Sequence, residues 1–463
     1  MTADTAIAGG TIVGPDGVRP GTLVLRDGRI AGIAEPDDPV TAAETIDARG
    51  LHVLPGAIDI HCHIRAPAFP ERATVRSETA ACAAGGVTTV FEMPITDPCC
   101  NTPAQVAMRR DHFARHAHVD FALYAAPRAL TEAAFDALAE AGVVALKIFT
   151  TPAPPGRHRE FDGLAWPDAA DQRRVLELAA RTGLPVVVHA EHPQLLARAA
   201  TEAETLDRAR AATHEAARPA LAEALAVAQL LTLNIDAGAK LHIAHVTSAA
   251  TLDVLRRFAG SSDVSAETCP HYLRHTRADV DRVGVCGKIN PPVRGEADRQ
   301  ALWEALADGT IAHVTTDHAA FAAAEKAAHE GDFLAAPPGH PGLEVLLPTM
   351  LDGVAEGRLT LAEAVRLVAG AAADRFALDE KGRLVPGAQA DIVLVDLAGR
   401  TEIDAARMMT AARDVARLSH GISLGGRIAR TLVAGRTVWD GRLRGEAGLG
   451  RFVRPHRMQE RTP

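Results

Sequence analysis

Pro55-Gly56-Ala57-Ile58-Asp59-Ile60-His61-Cys62-His63 is an apolar run that ends in two histidines one residue apart. In a strand alternate side chains share a face, so His61 and His63 point the same way. That brings two imidazoles within reach of one divalent ion. Ordinary loop histidines also occur in such pairs, so the surroundings decide.

Working outward, seven further apolar runs follow: Val87 to Glu92, Val119 to Tyr124, Val143 to Phe149, Pro185 to His189, Lys240 to Val246, Asp263 to Thr268 and Ile311 to Asp317. Between most of them lie amphipathic stretches such as Ala169 to Arg181 and Ala220 to Leu233, with Leu and Val at helical spacing. Buried parallel strands read as near-continuous apolar runs and need helical crossovers. Eight such units predict a (β/α)8 TIM barrel. A doubly wound open sheet is the alternative, but eight units in one series fit closure better.

Both flanks have another texture. Thr11 to Val13, Thr22 to Arg26 and Arg29 to Ile33 are short strands between Gly, Pro and Asp turn residues, and the pattern returns at Asp391 to Leu397 and Ile428 to Trp439. We therefore expect residues 1–54 and 379–463 to pair into a small β-sandwich, the latter with a tail, around a barrel of residues 55–378.

Composition narrows the function classes. The 463 residues are 47% hydrophobic and 23% charged, which is globular. With 49 Lys and Arg against 58 Asp and Glu, the net charge of −9 argues against non-specific nucleic-acid binding. No uncharged apolar stretch reaches the roughly 18–20 residues of a membrane span. Met1 to Gly10 carries Asp4 and lacks a basic region followed by an apolar core, so no signal peptide is expected. Six cysteines in this length form no dense disulfide framework, and a reduced, cytoplasmic protein is expected.

His189 and His245 also end, or nearly end, apolar runs, and Asp317 ends the last one. In a barrel these strand ends lie on one face, where active sites are found. Burying so many polar groups unpaired would be costly, so a metal site is the economical reading. Lys147 sits inside the run Val143 to Phe149, where a lysine must be paired or lose its charge. A salt bridge is the commoner solution. A neutral amine can also take up carbon dioxide and become an anionic two-oxygen ligand, and the accompanying ligand set favours that reading.

These motifs resemble the cyclic amidohydrolases, which include dihydropyrimidinases, hydantoinases, allantoinases and dihydroorotases. The likeness is carried by Pro55 to His63, Ala83-Ala84-Gly85-Gly86-Val87-Thr88-Thr89-Val90 with Glu92-Met93-Pro94, Leu146-Lys147-Ile148-Phe149, Val188-His189-Ala190-Glu191 and His245-Val246-Thr247-Ser248. Cys269-Pro270-His271-Tyr272, Pro291-Pro292-Val293-Arg294, Thr316-Asp317-His318 and Pro386 to Asp391 continue it. The resemblance implies two divalent ions, zinc by preference. His61, His63 and Asp317 would hold one and His189 and His245 the other, with N6-carboxylated Lys147 bridging them. It further implies a metal-bridging hydroxide as nucleophile, Asp317 as general base, ring opening at a C–N amide bond, and a homotetramer or homodimer. A catalytically silent relative would be expected to lose ligands, and all six are present. A single-metal nucleobase deaminase would have no use for a carboxylated Lys147.

For the ring itself, Glu92 to Thr96, Val119 to Tyr124, Gly342-Leu343-Glu344 and the tail Gly448 to Val453 look most like the hydantoinase and allantoinase branches, bacterial L-hydantoinases in particular. The alternative is a dihydroorotase. Arg65 stands where that branch usually carries the arginine that binds the substrate carboxylate, but Ile95 and Ala66-Pro67-Ala68 depart from its pattern. Where dihydropyrimidinases usually have an oxyanion-donating tyrosine, this chain has Pro152. Thr151 to Arg159 is expected to overhang the site. Asn290, Gly339 and His340 are expected to shape the pocket through backbone groups, because glycine and proline turns let a backbone approach a ligand closely.

Overall fold

The computed structural model describes residues 3–15, 17–36 and 38–456. Nine short segments form one parallel sheet. They are β6 (Ala57–His63), β7 (Val87–Glu92), β8 (Asp120–Ala125), β9 (Ala145–Phe149), β10 (Val186–His189), β11 (Leu241–Ile243), β12 (Val264–Thr268), β13 (His313–Val314) and β14 (His318–Ala319). Each of the first seven pairs in parallel with the next, and β14 pairs with β6. β13 and β14 are therefore two halves of the eighth barrel strand.

The break in that strand has a local cause. The run Ile311 to Asp317 does not stay in the ladder. The buried carboxylate of Asp59 on β6 accepts Thr316 N–H at 3.0 Å, the Thr316 hydroxyl at 2.6 Å and the Thr315 hydroxyl. A side chain thus takes over what a neighbouring backbone would supply, and the chain turns through Asp317 at φ +43°.

The helices lie where periodicity places them. Ala169–Thr182 begins at Asp168, whose side chain accepts Ala170 N–H at 2.8 Å, and stops at Gly183 in the left-handed region. The helical stretch Ala211–Ala237 is long and apolar enough to cross a membrane by length and composition, yet within it Val227, Leu230, Leu231 and Asn234 are buried in the protein.

The two chain ends share one eight-stranded sheet. It contains β1 (Ala3–Gly14), β2 (Gly17–Arg26), β3 (Arg29–Ala34), β4 (Ala42–Asp47), β5 (His52–Pro55), β15 (Ile392–Glu402), β16 (Ser423–Val433) and β17 (Arg436–Trp439). Their order is β17-β16-β15-β5-β1-β2-β3, with β4 added to β1. The ends thus meet in a single hydrogen-bonded sheet, across the antiparallel pair β5–β15, with a core that includes Ile7, Leu23, Val53, Leu394 and Leu432. One connection to the barrel is a buried triad. The Lys381 ammonium donates to Asp120 of β8 at 2.8 Å and to Asp391 at 2.5 Å.

Candidate metal centre

β6 delivers His61 and His63 side by side at its C-terminal end, with ring centroids 5.2 Å apart. The split eighth strand brings Asp317 opposite them. His61 Nε2 lies 3.3 Å and His63 Nε2 3.2 Å from the same carboxylate oxygen, Asp317 Oδ1. One donor atom from each residue falls within 4.8 Å of the other two.

A second pair sits beside this trio. His189 Nδ1 faces His245 Nε2 at 3.0 Å, and the His61 and His245 rings are 5.4 Å apart. Phe149 stacks on the His189 ring at 4.6 Å, which fixes its plane. Lys147, pointing inward from β9, places its Nζ 3.5 Å from His61 Nε2. All six predicted ligands are therefore gathered at one end of the barrel.

Burial sets their protonation. Desolvation pushes the pKa of His61, His63, His189 and His245 down, and that of the Asp317 carboxyl up. Four neutral imidazoles offer lone pairs, and two of them are aimed at one carboxylate oxygen. Lys147 is fully buried, and desolvation lowers its pKa to about 8, which brings the free amine within reach at neutral pH. A nitrogen-rich, oxygen-completed donor set of this kind suits zinc and similar divalent ions. Among the described residues the Nδ1 atoms of His63 and His245 have no hydrogen-bond partner, so hydrogen bonding does not use up this cluster.

Carboxylates behind the ligands hold them in place. Glu267 on β12 bonds His61 Nδ1 at 2.5 Å and His242 Nε2 at 2.9 Å. Glu191 bonds His189 Nε2 at 2.6 Å and is itself paired with Arg218. Sequence reading assigned Glu267 no role. Its signal was an acid inside the otherwise uncharged run Val264-Ser265-Ala266-Glu267-Thr268.

Above the cluster opens a cavity of about 810 Å³, with His61, His63, His189, His245 and Asp317 on its wall. Thr151 to Pro155 and Arg157 overhang it, and Arg157 is held by Glu160 at 2.6 Å. Arg159 turns away to Asp97. Arg65, Asn290 and Gly339 line the cavity. His340 does not. Its ring bonds Ser419 at 2.9 Å and its carbonyl accepts Ala319 N–H. Gly339 has φ +150°, and a Cβ there would lie 2.6 Å from the Phe321 ring, so only glycine fits.

A family model described as "Amidohydrolase family" matches residues 52–438, a span that takes in every one of these ligands. The chain belongs to the amidohydrolase family. Among relatives, an allantoinase of Rubrobacter xylanophilus is 35% identical over 98% of both chains. An L-hydantoinase of Paenarthrobacter aurescens is 30% identical over 79% of each. The solved L-hydantoinase (dihydropyrimidinase) of Arthrobacter aurescens superposes with a TM-score of 0.91 at 29% identity, covering 98% of this amidohydrolase and all of that chain.

Proposed function

We propose that this amidohydrolase opens the C–N amide bond of a hydantoin- or allantoin-like cyclic ureide. The observation that carries the reading is the convergence of two histidine pairs, Lys147 and Asp317 beneath one cavity. The names of the allantoinase and L-hydantoinase relatives support the choice of ring. His61, His63 and Asp317 would hold one divalent ion and His189 and His245 a second, both zinc, with N6-carboxylated Lys147 between them. Such ions supply an acidified water and polarise a carbonyl.

The chain's own residues do the rest. Asp317 takes the proton of the attacking water on its carboxylate and returns it to the ring nitrogen as the C–N bond breaks, so no net proton is consumed. Glu267 and Glu191 fix the tautomers of His61 and His189. Among the described residues the buried Asn290 Oδ1 has no hydrogen-bond partner, and it is available to a ring N–H. The proline-rich stretch Thr151 to Pro155 covers the reacting atoms and limits access of bulk water.

Dihydroorotase activity is the second reading, and Arg65 favours it. Arg65 is 5% exposed, and among the described residues its Nε and Nη1 have no hydrogen-bond partner. Ring opening by the zinc-loaded protein across hydantoin, 5-substituted hydantoins, allantoin, dihydrouracil and dihydroorotate tests both. Turnover of a ureide without a ring carboxylate is expected. Turnover of dihydroorotate alone establishes the second reading, and no turnover with both ions bound overturns both. We further propose a cytoplasmic homodimer or homotetramer with small-molecule substrates only, a compartment supported by six free, buried thiols.

A further inference from the structure

The cavity wall carries more positive charge than its neighbours balance. Arg157 is matched by Glu160, Arg218 by Glu191, and Glu204 by Arg208. Arg65 and Lys288 are left over. Arg65 lies at the metal-centre end, where its charge bears on His63 and Asp317. Lys288 lies among Arg218, Lys326, Arg208 and Asp332, and Asp332 is already paired with Arg208 at 2.9 Å.

Lys288 is only 5% exposed, and among the described residues no carboxylate touches it. Its ammonium donates once, to the Leu334 carbonyl at 3.1 Å. An ammonium has three N–H donors, so two are left, the number that a carboxylate's pair of oxygens accepts. The surrounding backbone holds the residue still, for Lys288 O accepts Gly339 N–H at 2.9 Å and Lys326 Nζ at 3.2 Å. Burial, with the nearby Arg218 charge, lowers its pKa to about 7, and a carboxylate placed against it would restore the charged form.

We propose that the ring opened by this enzyme bears a side arm ending in a carboxylate, and that Lys288 receives that carboxylate. This rests on the cyclic-ureide reading of the metal centre. The cavity of about 810 Å³ has room for an arm beyond a single small ring. Among the described residues the Lys288 ammonium bonds the Leu334 carbonyl and none of the groups assigned to the metals or the ring, so the charge it answers is placed on the arm and not on the ring.

The test compares two probes of equal size, 5-(2-carboxyethyl)hydantoin and 5-(2-carbamoylethyl)hydantoin, on the full metal-loaded chain. Binding is read by calorimetry and ring opening by kinetics. The acid is expected to bind at least tenfold tighter, with the difference in KM and not in kcat. Lys288→Met removes most of that preference and Lys288→Arg keeps it. Equal affinities in the unaltered enzyme overturn the proposal, even if Lys288→Met fails to fold, and so does a preference that survives Lys288→Met. Tighter binding of the acid with no ring opened leaves the arm site standing and overturns the ureide hydrolase. Rings opened without acid preference do the reverse.

Discussion

Lys147 is a single amine enclosed by an apolar strand and an imidazole, and its chemistry there is open to direct measurement. Carboxylation predicts a carbamate signal when the protein is prepared in ¹³C-labelled bicarbonate, and Lys147→Met should abolish it. The same substitution should cut the metal content from two ions per chain to one or none, as read by elemental analysis. Glu267 makes a second prediction at this scale. Replacing it with Gln alters the carboxyl contact that orients His61, and loss of such an outer partner costs about 10–100-fold in metal affinity. Competition with a chromogenic chelator checks this. The two residues also show what a sequence yields unaided. His61, His63 and Lys147 are legible because each stands at a strand position whose neighbours are apolar. Glu267 is not, because the ring it orients is 206 positions away and only the closed barrel brings them together.

Among the elements, the eighth strand is the informative one. Its apolar run was visible, but its break into β13 and β14 was not. The break depends on a carboxylate from β6 replacing ladder hydrogen bonds, and nothing local to Ile311–Asp317 announces it. The flanking strands were legible from their turns, whereas their union in one sheet depends on pairing across nearly the full chain. Asp59→Ala should therefore act at a distance of one strand. It leaves the Thr316 N–H and the Thr315 hydroxyl unsatisfied, at about 1–3 kcal/mol for each buried group, while the Thr316 hydroxyl keeps the His61 carbonyl at 3.3 Å. It also frees Asp317 from the turn that faces it to the histidines. A lower melting temperature together with weakened binding at the His61–His63–Asp317 site is expected, and calorimetry with metal titration reads both.

For the molecule as a whole, the Lys381 triad is a measurable link between barrel and terminal sheet. Lys381→Met would strand Asp120 and Asp391 as adjacent buried carboxylates, and breaking a buried pair in this way costs about 3–5 kcal/mol. The two carboxylates raise the lysine pKa to about 12 in the folded protein, above its unfolded value of about 10.4. A raised pKa means stabilisation that is complete below the unfolded value and lost as pH climbs through the folded one. The melting-temperature gap between the native chain and Lys381→Met should thus be full at pH 9 and close toward pH 12.

The pairing of β5 with β15 has a consequence for how the protein is made. Strand β5 runs straight into the strand that bears His61 and His63, yet one of its two hydrogen-bonding neighbours begins at Ile392. At about 5–20 residues per second, a ribosome needs on the order of tens of seconds to reach that neighbour. In the last part of that interval, once Asp317 is made, the nascent chain holds every proposed metal ligand but lacks the β15 neighbour of the strand leading to the first of them. Chains released before Ile392 are expected to be clients for chaperones and proteases, and pulse-labelled truncations ending at 390 should turn over faster than the full chain.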